Sequence, residues 1–88
     1  MKIFKKVIVK NAFGLHIRPA AVIVKLLKKR KSEVSFKCNG KIADARSIMD
    51  MMTLVAKKNS NLLISIDGID AKDTMNDLVN IFESKFGE

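Results

Sequence analysis

Apolar and polar residues alternate with period two in some stretches of the chain and recur at helical spacing in others, and the switches between the two rhythms mark out its elements. Residues 2–10 alternate loosely, with Ile3, Val7 and Val9 on one face and Lys5 interrupting it, which predicts a β-strand. Ala20, Ile23, Val24 and Leu27 then fall at i, i+3, i+4 and i+7, the stripe of an amphipathic helix that should end within Lys28-Lys29-Arg30-Lys31. Val34, Phe36 and Cys38 alternate with Ser35 and Lys37. Asn39-Gly40 follows, the dipeptide suited to a two-residue hairpin turn with both central φ angles positive, so residues 33–44 are predicted to be a hairpin.

Ser47-Ile48-Met49-Asp50 has the form of a capping box, a hydroxyl N-cap with an acid three residues later. It predicts a helix running to about Lys57 or Lys58, with Met51 and Leu54 on its core face and Asn59 supplying the left-handed residue that ends it. Leu62, Ile64 and Ile66 alternate with Leu63, Ser65 and Asp67 in a last strand, closed by Gly68. Asp70, with Asp73 three residues on, is predicted to cap a final helix that buries Ala71, Met75, Leu78, Val79 and Phe82. The order is βαββαβα. Three helices can cover only one face of a four-stranded sheet, and the hairpin argues for antiparallel pairing. The expected fold is therefore an α+β open-faced sandwich, a single domain over residues 1–88.

Composition narrows the setting. At 88 residues and 48% hydrophobic, the chain can bury roughly two-thirds of the surface it exposes when unfolded. One cysteine, Cys38, excludes an internal disulfide and is expected to face the core as a small apolar residue. One histidine and one cysteine are a poor ligand set for zinc, so neither metal nor cofactor is expected. The first ten residues hold no apolar run suited to a signal peptide or a membrane span, which points to a cytoplasmic protein without membrane insertion. The net charge of +8 suggests an acidic partner surface, a nucleic acid or an anionic membrane. Five Phe with no Trp or Tyr, and no aromatic pair in a basic strand, argue against nucleic acid. The Lys28–Lys31 run reads best as cations set against the negative end of a helix dipole.

The candidate chemistry sits in Asn11-Ala12-Phe13-Gly14-Leu15-His16-Ile17-Arg18-Pro19-Ala20-Ala21, which contains the only histidine and the only proline. A turn closes at Gly14, and Pro19 stands where a helix tolerates proline, in its first turn, so a helix starts just after His16. Free backbone N–H groups and the positive end of the helix dipole meet there and favour an anion. Arg18 adds a planar donor fork suited to phosphate oxygens. Spacing alone leaves two roles open for His16, an anion-handling imidazole or a surface residue at a helix start.

Gly14-Leu15-His16-Ile17-Arg18-Pro19-Ala20-Ala21 resembles the G-L-H-A-R-P-A-A motif of the HPr family, the histidine-containing phosphocarriers of the bacterial phosphoenolpyruvate-dependent sugar phosphotransferase system. Ser47-Ile48-Met49 resembles that family's regulatory-serine motif, and Gly68-Ile69-Asp70-Ala71 the start of its last helix. The resemblance implies that His16 accepts a phosphoryl group on Nδ1 from phospho-enzyme I and passes it to an enzyme IIA domain, with Arg18 pairing with the phosphate. The chain would be a carrier, a substrate of other enzymes and a monomer. Ile17, Ala21, Ile48, Met49 and Met52 would form the partner-docking surface. Ser47 would be a regulatory site for an HPr kinase/phosphorylase, read by a catabolite-control regulator. A mainly regulatory protein and a nitrogen-related relay carrier are the alternatives within the family. The sequence departs from the pattern at Ile17, where alanine is usual, at Arg46 (lysine), at Asp50 (glycine) and at Asn59 (glycine). A phosphate on Ser47 would gain from the helix dipole and Arg46 and be repelled by Asp50.

Overall fold

Period-two alternation gives each strand one apolar side, and these sides meet in one sheet. The computed structural model describes all residues, 1–88. Its strands are β1 (Lys2–Ile8), β2 (Glu33–Cys38), β3 (Lys41–Asp44) and β4 (Asn61–Asp67), and its helices are α1 (Ile17–Leu27), α2 (Ile48–Met52) and α3 (Ala71–Glu83). A 3₁₀ turn, Lys85–Gly87, ends the chain's regular structure. The sheet order is β1-β4-β2-β3, antiparallel throughout, as expected of the open-faced sandwich. Register sets Val7 opposite Leu62, and Phe36 opposite both Ile64 and Ala43. These buried side chains face Ala20, Ile23 and Leu27 of α1 and Met75, Leu78 and Phe82 of α3 within one core. The Phe36 and Phe82 rings meet edge to face at 5.8 Å across the sheet–helix interface.

The hairpin turn forms as the dipeptide dictates, with φ of 54° at Asn39 and 76° at Gly40. The Asn39 amide then reaches out of the turn and donates to the carbonyls of Leu54 and Val55, at 2.9 and 3.1 Å.

Helix α2 is much shorter than its sequence suggests. Ser47 Oγ accepts the Asp50 N–H at 3.1 Å, as an N-cap should. The reciprocal half of the capping box is missing, because the Asp50 carboxylate accepts the Asp44 N–H at 2.7 Å instead. After Met52 the backbone tightens into i→i+3 bonds, from Thr53 to Asp50 and from Leu54 to Met51, both 3.1 Å, and Val55 turns to φ 50°. A continued helix would carry Ala56 away from its partner. The Ala56 carbonyl instead accepts the Leu15 N–H at 2.8 Å. Asn59 is left-handed, at φ 73°, yet it lies beyond the helix and serves the turn into β4, donating its N–H to the Val9 carbonyl at 2.7 Å.

Asp70 also departs from expectation. It stands at the N-cap of α3 without capping it. Its carboxylate crosses to the loop between α1 and β2, accepting the Lys31 N–H at 2.8 Å, the Ser32 N–H at 3.0 Å and the Ser32 hydroxyl. The Ser32 hydroxyl and these backbone donors hold its carboxyl down to about 2. From the other side of that loop the Arg46 guanidinium donates to the carbonyls of Leu27, Arg30 and Ser32, at 2.5, 2.9 and 2.8 Å. Gly68 permits the approach, since a Cβ there would lie 2.4 Å from Ser32 Oγ. Arg30, inside the basic run, pairs with Asp77 of α3.

Candidate functional site: an imidazole at the start of α1

Gly14 sets up the helix start. Its φ is 66°, and a Cβ would fall 2.4 Å from the Ala56 carbonyl oxygen, so the chain can pass there only as glycine. His16 follows in an extended conformation, φ −108° and ψ −172°, and its carbonyl accepts the Ala20 N–H at 3.0 Å. It is thus the N-cap residue of α1, yet its side chain makes no capping bond and the imidazole is free to point elsewhere. The first-turn N–H groups of Ile17 and Arg18 have no partner within the helix, and Pro19 has no N–H to leave unpaired.

The ring is anchored through one nitrogen. His16 Nε2 lies 2.9 Å from Glu88 Oε2, and Glu88 Oε1 accepts from Asn11 Nδ2 at 2.9 Å. The same buried amide donates to the Gly14 carbonyl at 2.5 Å. Hydrogen bonds from Asn11 and then from His16, together with the charges of His16 and Arg18, hold the Glu88 carboxyl below the usual range, against the opposing effect of burial. Glu88 is therefore an anion at neutral pH and can only accept. In the neutral ring the proton then belongs on Nε2, and Nδ1 keeps its lone pair. The imidazole remains 35% exposed, enough for a partner to reach it. Phe13 stands edge-on at 6.1 Å, and Lys10, Arg18, Lys58 and Lys85 line the same shallow depression.

Of the residues proposed from sequence, His16 and Arg18 stand together at the helix start. Ile17, Ala21 and Met49 are exposed, Met49 at 82%. Ile48 and Met52 are half-buried, packed against the core. Ser47 is half-buried in its cap, and the Arg46 guanidinium, expected to meet a phosphate there, is already engaged by the carbonyls of Leu27, Arg30 and Ser32. Cys38 is buried, and burial pushes its thiol up, partly offset by a hydrogen bond with Ser60, so it is no reactive thiolate. The sheet's open face carries a single phenylalanine, Phe4, with Lys2 stacked over it at 5.6 Å, short of the paired aromatics that bind bases on such sheets.

Glu88 escaped the sequence reading. Only Gly87 among its neighbours signals a turn, whereas the chain folds back through consecutive left-handed residues, Lys85, Phe86 and Gly87, at φ 58°, 56° and 76°. No local pattern announces that.

An imidazole at a helix N-terminus, rimmed by cations on a small open-faced sandwich, is an arrangement whose charge and free N–H groups favour an anion. Comparison with known proteins gives the family. The family model described as "PTS HPr component phosphorylation site" matches residues 3–84. The phosphocarrier protein HPr of Chlamydia muridarum is 39% identical over 80 residues, covering 91% of this chain and 77% of that one. The HPr of Buchnera aphidicola is 48% identical over 65 residues, 74% of this chain and 76% of its own. A crystal structure of HPr from Thermoanaerobacter tengcongensis superposes with a TM-score of 0.92 at 35% identity, covering 98% and 97% of the two chains. The chain belongs to the HPr family, the phosphocarriers of the phosphotransferase system. No helix is long and apolar enough to cross a membrane.

Proposed function

We propose that the chain carries a phosphoryl group on His16 Nδ1, taken from phospho-enzyme I and passed to an enzyme IIA domain. One observation supports this above the rest: the imidazole occupies the N-cap position of α1 without capping it, beside unpaired N–H groups and Arg18. In the transfer, the Nδ1 lone pair forms a bond to phosphorus as the bond between phosphorus and the donor breaks. The phosphoryl oxygens then meet the Ile17 and Arg18 N–H groups and the Arg18 guanidinium. Transfer of this kind depends on position and charge more than on covalent chemistry from the carrier, so the rate is made jointly with each partner and the chain is a carrier, not an enzyme. Ile17, Ala21 and Met49 form the exposed docking surface, with Ile48 and Met52 half-buried against the core. Residues 1–88 act as one domain, as a monomer, in the cytoplasm.

Ser47 is the second proposed phosphoacceptor, for an HPr kinase/phosphorylase, with a catabolite-control regulator as reader; the Ser47-Ile48-Met49 motif supports it. Its phosphorylation would set a dianion at the start of α2, favoured by the helix N-terminus and opposed by the Asp50 carboxylate within one turn.

The first proposal is tested by incubation with phosphoenolpyruvate and a cognate enzyme I. The expected product is one acid-labile, base-stable phosphoryl group per chain, absent from His16→Ala. A wild-type protein that takes up none would end it.

A further inference from the structure

The carboxylate on the far side of the ring has a task of its own in this reaction. We propose that Glu88 is a positioning residue for His16: its Oε2, 2.9 Å from Nε2, keeps the proton on that nitrogen so that Nδ1 faces the incoming phosphorus as a lone pair. The inference rests on the phosphocarrier reading and specifies how the ring is prepared for it.

Two features of the site carry the argument. The first is that Glu88 is itself held. Asn11 Nδ2 fixes Oε1 at 2.9 Å, and the left-handed turn through Lys85, Phe86 and Gly87 is pinned where the Phe86 ring packs edge-on against Phe82 at 4.9 Å. The 3₁₀ turn closes on itself through the Gly87 and Glu88 N–H groups, which donate to the Ser84 and Lys85 carbonyls at 3.1 and 3.0 Å. The two left-handed residues other than glycine, Lys85 and Phe86, turn the chain back so that the Glu88 side chain meets His16.

The second feature is charge. When Nδ1 bonds to phosphorus, the ring keeps its Nε2 proton and becomes a cation, with no proton released. Glu88 is the one carboxylate lining this depression; the other charged groups lining it are cations, Arg18 on α1, Lys58 from the loop ahead of β4, Lys85 from the tail and Lys10, whose charge is paired with Glu83 of α3. Those cations suit the phosphoryl oxygens and oppose a cationic ring. Glu88, on the side away from Nδ1, offsets them where the ring's charge develops. The same contact favours onward transfer, because a ring that holds its Nε2 proton leaves as a neutral imidazole when the phosphorus–nitrogen bond breaks.

The test combines ring spectroscopy with kinetics on the full chain. Nitrogen-15 NMR of the unphosphorylated protein reports the tautomer directly. Wild type is expected in the Nε2–H form with a slowly exchanging ring proton, Glu88→Gln with a weakened bond, and Glu88→Ala with a mixture of tautomers. Phosphoryl uptake from enzyme I should fall by about tenfold in Glu88→Ala, the low end of what a hydrogen bond to a charged group is worth. The loss should lie in kcat with KM for the carrier unchanged, and Glu88→Asp should recover part of it. A Glu88→Ala ring spectrum identical to wild type, in a wild-type protein that is phosphorylated normally, overturns the inference alone. A wild-type protein that accepts no phosphoryl group overturns the phosphocarrier reading and this inference with it.

Discussion

Asp70 shows how a residue can keep its place and change its work. By sequence it is the N-cap of α3; in the fold its carboxylate fastens the loop that follows α1. The consequence is a pH dependence with a definite sign. The folded carboxyl lies at about 2, below the roughly 3.9 of an unfolded aspartate, so its contribution to stability is complete above about pH 4 and fades as the pH falls toward about 2. The urea midpoint of the wild type should drop over that window, and Asp70→Asn, less stable at neutral pH, should show a shallower drop. Parallel curves for the two proteins would remove Asp70 from the account. Asn11 makes a parallel case: its amide bonds Gly14 and Glu88 at once, linking the turn before His16 to the side chain behind it.

At the scale of elements, strands and long helices were legible because each has a repeating apolar face: β2, β4, α1 and α3 fall where the periods place them, and the Asn39-Gly40 turn forms with the φ angles its residues favour. What failed was reach. The apolar run after Ser47 reads as one helix, yet the Ala56 carbonyl is needed by Leu15 and the chain leaves the helix to supply it. The histidine site was legible as far as α1 carries it, to His16 and Arg18, and illegible where it depends on a tail brought in from α3. Arg46 belongs to the same lesson: beside Ser47 in sequence it reads as a phosphate ligand, and in space it ends α1. Arg46→Ala should therefore cost about 2 kcal/mol, the scale of charged hydrogen bonds lost from a partly buried site. Hydrogen exchange should speed up at residues 28–32 while the sheet stays protected. Unchanged exchange there would mean the guanidinium is not what holds the helix end.

Across the whole molecule, the charge of +8 is unevenly placed. Arg18, Lys58, Lys85 and Lys10, the last paired with Glu83, line the depression at His16, while Glu33 and Asp67 face each other across the register at the opposite strand ends, in a depression shared with Asp44, Lys2 and Arg46. The molecule measures 32 Å along its longest axis, several times the screening length of about 8 Å at physiological salt. A partner approaching the histidine therefore meets a locally positive surface, almost independent of the acids at the far end. Such a surface speeds encounter with an acidic docking face and adds little to the chemical step. Raising ionic strength from about 0.05 to about 0.5 M, which shortens the screening length from about 14 to about 4 Å, should lower the second-order rate of phosphoryl uptake by about tenfold. The rate within the saturated complex should hardly change. Reversing Lys58 to Glu should lower the same second-order rate and flatten its salt dependence. A loss confined to the saturated rate would place that lysine in the chemistry and not in the approach.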